Sequence, residues 1–341
     1  MPLPRITSVH PLRAVEGGVI TIRGEDLLGE ASISSPPNIT LGDIVPRISF
    51  ASQSAIVVQV PAGLCGGRTA VRIDGLSGET AFVEIGYPVA TGLHQVDSPV
   101  IDETGRLYVT YSGTRGERSP VSVFRIRNDG YREPFVTGII NATSLVFGPD
   151  GALHVSSRFE GAVYRVANDG AFDVVASDLG MACGMAFGSD GSLYVGDRSG
   201  TVFRVSESGA TSTFANLPES VAAFHLAWGK DEALYVTAPT LASYDNVYRI
   251  DQSGKVDLLC TDFGRPQGLA FDGQGVLHVV EALAGCSGVY RLGADGKRTR
   301  VVSGPNLVGL NFDSSGGLVV ASGETAYRFD NGRNTDGWPS E

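Results

Sequence analysis

One short pattern, leucine followed by an aromatic ring or histidine and then valine, recurs along most of this chain. It stands at Leu107-Tyr108-Val109, Leu153-His154-Val155, Leu193-Tyr194-Val195, Leu234-Tyr235-Val236 and Leu277-His278-Val279, with a worn sixth copy at Leu318-Val319-Val320. The spacings are 46, 40, 41, 43 and 41 residues. A repeat of this length is one supersecondary unit, which buries its apolar face only by stacking on its neighbours. A second anchor follows each copy: Val123-Phe124-Arg125, Val163-Tyr164-Arg165, Val202-Phe203-Arg204, Val247-Tyr248-Arg249, Val289-Tyr290-Arg291 and Ala326-Tyr327-Arg328. Turn signals such as Pro149-Asp150-Gly151 and Asp190-Gly191 lie between the anchors, and helical spacing is absent. Four short strands in ~40–45 residues make one propeller blade. The chain therefore reads as all-β, with a six-bladed β-propeller over residues 87–330.

The ends of the array are not alike. Earlier repeats close with an outer strand, such as Pro134–Ile139 or Asp257–Cys260, whereas the last stops at about Asp330 without one. A matching segment, Pro88-Val89-Ala90-Thr91-Gly92-Leu93, precedes the first repeat instead. This predicts closure by strand exchange between the N- and C-terminal ends, which removes the edges an open array would expose. Residues 331–341 read as a polar tail.

Residues 1–86 lack the repeat. Their alternating segments, Val19–Arg23, Ala55–Val60 and Arg68–Ile73, are separated by glycine and proline turns and predict a small immunoglobulin-like β-sandwich. The Ile6-Thr7-Ser8-Val9 lead into Pro11, the Gly17-Gly18-Val19-Ile20-Thr21-Ile22-Arg23-Gly24 strand and the Val60–Gly63 step resemble the IPT/TIG family, which implies a spacer or adhesive module. The propeller resembles the NHL-repeat and senescence-marker-protein/gluconolactonase group. Units such as Pro266-Gln267-Gly268-Leu269-Ala270-Phe271-Asp272 carry the likeness, with Asp97-Ser98-Pro99 similar to the opening of the gluconolactonase family. That family implies one divalent metal, held by a Glu, an Asn and an Asp at first-strand starts, that polarises a lactone carbonyl. Here those starts read Asp97, Thr143, Cys183, Phe224, Gln267 and Val308, so only Asp97 offers a carboxylate. Deleting residues 1–86 is expected to leave the propeller folded.

Propeller chemistry sits where inner-strand starts and second-strand ends converge on the channel mouth. The next inner position reads Ser98, Ser144, Gly184, His225, Gly268 and Gly309, and the second-strand ends read Tyr111, Ser157, Asp197, Ala238, Glu281 and Ser322. Candidate catalytic residues are Asp97, His225 and Glu281. Candidate ligand-binding residues are Tyr111, Arg158, Cys183, Asp197, Arg198 and Gln267. A relocated metal site would use Asp97, Asp197 and Glu281, whose oxygens suit calcium or magnesium better than zinc. Each has a structural alternative: Asp197 as a turn cap, Glu281 paired with an arginine, His225 in the core and Cys183 as a buried small residue. His154 and His278 replace the tyrosine of other repeats and are expected to pack between blades. Long second-to-third-strand connections, Thr110–Pro120 and Thr237–Asn246, are expected to face each other across the mouth.

A net charge of −11 with three lysines argues against nucleic acid as a partner. No apolar stretch approaches the ~20 residues of a membrane span. Without a signal peptide the chain is expected in the cytoplasm as written, or exported if a leader has been removed. The four cysteines show no CxxC pairing and do not make a disulfide scaffold. No nucleophile elbow, zinc-protease motif, Walker loop or dinucleotide fingerprint is present. The expected function is a binding module holding a small ligand or a protein partner segment at the mouth, with the sandwich as spacer or interaction arm. The alternative is a metal-assisted hydrolase of lactones or a related lyase. Oligomeric state is not legible.

Overall fold

The computed structural model describes residues 5–28, 37–74, 80–127, 129–283, 285–293 and 295–329; the tail at 331–341 lies outside them. Every regular element among the described residues is a strand. None is a helix long and apolar enough to cross a membrane.

The repeat region folds because β-branched and aromatic runs alternate with tight turns. In the second blade, Ala142–Phe147, Leu153–Ser157, Ala162–Val166 and Phe172–Ala176 pair antiparallel in chain order. Its first turn shows the chemistry. Gly151, at φ +76°, donates its N–H to the Gly148 carbonyl, and the Asp150 carboxylate accepts from the Ala152 N–H at 3.0 Å. The arginine of the second anchor then reaches the turn carboxylate: Arg165 to Asp150 and Arg249 to Asp231, each at 2.7 Å. In these blades the repeated arginine is thus a staple within its own blade, whereas Arg328 of the sixth reaches across to the Gly105 carbonyl of the first at 3.0 Å. Being largely exposed, each pair is worth about 1 kcal/mol at most.

Six such four-stranded arrays follow one another in a circuit. Their inner strands are Val100–Ile101, Ala142–Phe147, Ala182–Phe187, His225–Trp228, Pro266–Phe271 and Leu307–Phe312, each against the next and the last against the first. Aromatic rings join neighbours. Tyr108 meets Phe147, His154 meets Phe187, Tyr194 stacks on Trp228, Tyr235 meets Phe271 and His278 meets Phe312, all within 5.5 Å between centroids. Edge-to-face and offset pairs of this kind add about 0.5–1.5 kcal/mol beyond area burial. Both histidines anchor Nδ1 near a backbone carbonyl, of Ala152 and Val276, at 3.1 Å. Burial pushes the His278 imidazole down to about 4. In the sixth array Thr325–Phe329 pairs antiparallel with Tyr87–Thr91, which supplies the fourth strand from ahead of the first blade.

The N-terminal part is a two-sheet sandwich. One sheet orders Arg5–His10, Val19–Glu25, Ala55–Gln59 and Arg47–Ala51; the other contains Arg13–Ala14, Ala81–Ile85, Gly67–Ile73 and Ile39–Leu41. Ile20, Ile22, Ile56, Val58, Val71 and Val83 fill the space between them. The second sheet does not end at the sandwich. Arg13–Ala14 runs parallel to both Ala81–Ile85 and the outer strand of the fifth blade, Arg298–Ser303, making one eight-stranded sheet. The Val15 N–H donates to the Ser303 carbonyl at 2.9 Å and the Val19 N–H to the Ser303 hydroxyl at 2.7 Å. Val15 is buried among Val280, Val302, Leu307 and Phe329. The two parts therefore share buried contacts at Val15, which deletion of residues 1–86 would remove from the propeller.

Candidate functional site

The channel is narrow because glycine lets the inner strands approach backbone to backbone. A methyl group on Gly184 would come within 2.9 Å of His225 Cα, one on Gly268 within 2.7 Å of Gly309 Cα, and one on Gly309 within 2.6 Å of the Ser98 nitrogen. These glycines share their level with Ser98, Ser144 and His225. His225 is the one large side chain there, and it crosses from the fourth blade to the first. Its Nδ1 lies 2.6 Å from Asp97 Oδ1, with both side chains almost wholly buried. Burial opposes ionisation of Asp97, but the His225 imidazole, the Ser144 hydroxyl and the Ser98 amide together hold the carboxyl below its ordinary range. An ionised Asp97 only accepts, so the shared proton belongs to Nδ1. His225 Nε2 is buried without a partner.

A cavity of about 330 Å³ opens at the mouth. Three inner-strand positions, Cys183, Gln267 and Val308, line it together with the approach segment Gln95-Val96. Arg115, Arg158, Phe159 and Arg198 come from the connections between second and third strands. Met181 and Val221–Ala223 complete the wall. Neither Asp97 nor His225 lines it.

The wall is cationic. Among the described residues, no carboxylate forms an ion pair with Arg115, Arg158 or Arg198; Arg198 Nε donates to the Ser220 carbonyl at 3.0 Å. Burial pushes the Arg158 guanidinium below its ordinary value, and the charges of Arg115 and Arg198 push the same way. Gln267 lines the same space, and Gln95, whose amide nitrogen donates to the Asp97 carbonyl at 2.7 Å, keeps a buried Oε1 that nothing satisfies.

Arg115 sits on the long first-blade connection, which Asn141 pins. The Asn141 amide nitrogen donates to the carbonyls of Ser112 at 2.6 Å and Thr114 at 2.9 Å, and its oxygen accepts from the Gly116 N–H at 2.7 Å. A buried side chain so engaged is no glycan acceptor in the folded chain, although it begins a sequon. The fourth-blade connection braces the wall instead, its Pro239 carbonyl accepting from the Val221 N–H and the Ser220 hydroxyl.

Of the residues proposed from sequence, the structure brings Arg158, Cys183, Arg198 and Gln267 to this cavity. The others are placed elsewhere. Tyr111 packs edge-on against His94 and Phe124 instead of facing the cavity. Asp197 accepts from the Met181 N–H at 2.8 Å and from the Ser199 hydroxyl, tying down the segment that enters the inner strand. Glu281 is buried, which raises its pKa; Arg298 opposes the rise through a 3.0 Å contact. Cys183 is a thiol whose pKa burial pushes up to about 12, with Sγ donating to the Met181 carbonyl. It is no nucleophile at neutral pH. The carboxylates of Asp97, Asp197 and Glu281 thus each serve a different internal partner. No group of three or more metal-ligating side chains is gathered among the described residues, so these residues do not fit a shared calcium, magnesium or zinc ion.

Sequence reasoning missed Arg115, Gln95, Phe159 and Met181. The length of the loop around Arg115 was the one available signal; Gln95 lies in an irregular segment that carries no repeat pattern. A larger groove, about 690 Å³, separates the second and third blades. Its polar groups are spent internally, Asp150 on Arg165 and Asp190 on Arg204.

Residues 4–82 match the IPT/TIG domain family. Among curated proteins none matches this chain. Solved structures of the same fold include a structural genomics protein of unknown function from Bacteroides thetaiotaomicron, 14% identical, covering 96% of this chain and 97% of that one at a TM-score of 0.59. An auxiliary nutrient binding protein from Bacteroides ovatus is 10% identical over 96% of this chain and 98% of that one, at 0.54. A putative gluconolactonase is 18% identical over 71% of this chain and 90% of that one, at 0.58. At these identities the likeness is one of fold, over nearly the whole chain for the two Bacteroides proteins and over 71% of it for the gluconolactonase.

Proposed function

We propose that this chain is a binding protein that holds a small ligand at the propeller mouth, with the sandwich as a rigidly attached arm. The observation that carries this reading is a cavity lined by three guanidinium groups that no carboxylate pairs with among the described residues, while its one potential nucleophile, Cys183, is protonated. Unused hydrogen-bonding capacity in a concave site is what a ligand supplies. The nutrient-binding description of one protein of this fold supports the same reading.

The test is a thermal-shift panel of neutral sugars, sugar acids, amino acids and nucleotides on the full chain, repeated on Gln267→Ala. A saturable rise in melting temperature with at least one class, weakened in the variant, is expected. Shifts unchanged by Gln267→Ala would place binding away from the mouth and overturn the reading.

One observation bears on a second reading: His225 Nε2 is oriented by Asp97 and unpartnered, as a general base is, although it is buried below the cavity and would act only if the mouth opened to it. Lactone hydrolysis by the purified chain, abolished in His225→Gln, would establish it. Elemental analysis after dialysis separates the metal-assisted version, which requires about one retained equivalent of calcium or magnesium.

A further inference from the structure

We infer that the ligand is a small organic anion, a carboxylate or phosphate ester of about monosaccharide size, whose charged group is held by Arg115, Arg158 and Arg198. This rests on the binding reading above and specifies the chemistry of its ligand.

The argument starts from a charge imbalance. The chain carries 37 acidic and 26 basic residues, so a random patch of its surface is more often negative than positive. Elsewhere arginines find carboxylates readily: Arg13 with Glu84, Arg125 with Glu133, Arg165 with Asp150, Arg204 with Asp190 and Arg249 with Asp231. At the mouth three arginines converge on one cavity and, among the described residues, none is paired with a carboxylate. Acids stand close by in sequence, and none is paired with these arginines among the described residues: Glu160, two residues from Arg158, accepts from the Ile140 N–H at 3.2 Å, and Glu117, two from Arg115, is exposed. Asp197, adjacent to Arg198, spends its oxygens on the Met181 amide and the Ser199 hydroxyl. Asp97 is locked to His225 below the cavity.

Three guanidinium groups held near one another repel, and half-burial of Arg158 sharpens the repulsion by removing water. An anion seated among them relieves it. Guanidinium forks match carboxylate and phosphate oxygens in pairs, giving short charge-assisted hydrogen bonds. The rest of the wall describes the rest of the ligand. Gln267 is the lining side chain that can hydrogen-bond hydroxyls, while Phe159 and Met181 form an apolar side. A volume of about 330 Å³ lies at the low end for small-molecule sites, enough for a sugar acid or sugar phosphate and too small for a polymer segment.

The fixed position of Arg115 is part of the device. Asn141 spans the loop on both sides of it with three hydrogen bonds, so this arginine stands on a braced connection.

The experiment reads arginine protection and binding on the full-length chain. Phenylglyoxal modification is followed peptide by peptide with inorganic phosphate, glucuronate, glucose 6-phosphate or glucose present, at matched ionic strength in chloride. Arg47, exposed on the sandwich, serves as the internal reference. Phosphate and at least one of the two sugar anions are expected to protect Arg115, Arg158 and Arg198 while Arg47 continues to react; glucose protects none. Glucuronate protecting better than glucose 6-phosphate assigns a carboxylate, and the reverse assigns a phosphate ester. In calorimetry, Arg158→Gln is expected to weaken the better anion by about 10- to 100-fold, and Arg158→Lys by less. Equal protection of Arg47, or none at the mouth, overturns the inference. Glucose binding as tightly as the anions, with Arg158→Gln unchanged, overturns the anion while leaving mouth binding intact. A ligand whose binding ignores both Arg158→Gln and Gln267→Ala removes both readings.

Discussion

Replacing Gly309 with alanine tests the idea that glycine sets the width of the channel. The added methyl group would lie 2.6 Å from the Ser98 nitrogen and 2.9 Å from the Asp97 carbonyl carbon, with Ser98 Cα nearer still. Ordinary contact begins near 3.4 Å, so the first and sixth blades must part by about 0.8 Å or more where they meet. Every obstacle is backbone, so no rotamer change gives relief. Overpacking of this kind costs about 1–3 kcal/mol, and a backbone-only clash at the centre of a closed circuit belongs at the upper end. For a chain of this size each kcal/mol moves the melting temperature by about 2–4 °C. A loss of about 6–12 °C is therefore expected by calorimetry or circular dichroism. Gly273→Ala is the control, because nothing lies within 4 Å of its added methyl group and its φ is not positive. That change should be neutral or stabilise by about 0.4–1 kcal/mol through the unfolded chain. If Gly309→Ala melts within 2 °C of the parent, the strands are not held apart by contact and the explanation of the narrow channel fails.

Asn141→Ala removes three hydrogen bonds and puts a side chain that disfavours it at φ +49°; about 2–4 kcal/mol of lost stability is expected, with new proteolytic cleavage between Ser112 and Ser119 by mass mapping. Asp97 has a folded pKa below its unfolded value, so its contribution is present above about pH 4 and is lost as pH falls through the lower folded value. Asp97→Asn should therefore be less stable than the parent at pH 7, with a gap that narrows below pH 4 in urea titrations; a gap independent of pH would show that ionisation plays no part. Val15→Ala should cost about 2 kcal/mol for a fully buried side chain, and Val15→Asp should split a single calorimetric transition into separate sandwich and propeller steps.

What was readable in the sequence was whatever repeats. The tyrosine or histidine of the second strand recurs in five of the six repeats because each of those interfaces is filled by a ring, the sixth using Val319 instead. The Asp-Gly turns recur because each hairpin needs left-handed backbone at one place. Arg158, Cys183, Arg198 and Gln267 could be found because counting from a repeated strand locates the mouth. Roles were harder to read than places. Nothing local says that Asp197 turns back to the Met181 amide, because the choice between facing a cavity and capping a backbone depends on a strand 16 residues earlier. The pairing of Asp97 with His225 links residues 128 apart across a circuit that exists only once every blade is in place. The joining of Arg13–Ala14 to the fifth blade breaks the repeat's own logic: an outer strand that elsewhere ends a sheet there accepts a neighbour from another domain, and no periodicity announces it.

The bond between Asp97 and His225 also decides how traffic through the molecule is organised. A ring of blades suggests a tube with two doors, but a side-chain bridge from one wall to the wall opposite turns it into a well. Under the binding reading proposed above, a ligand that entered at the arginines would leave by the same way. Occupancy is then a matter of turns, with departure controlled by the rim and not by the depth below it.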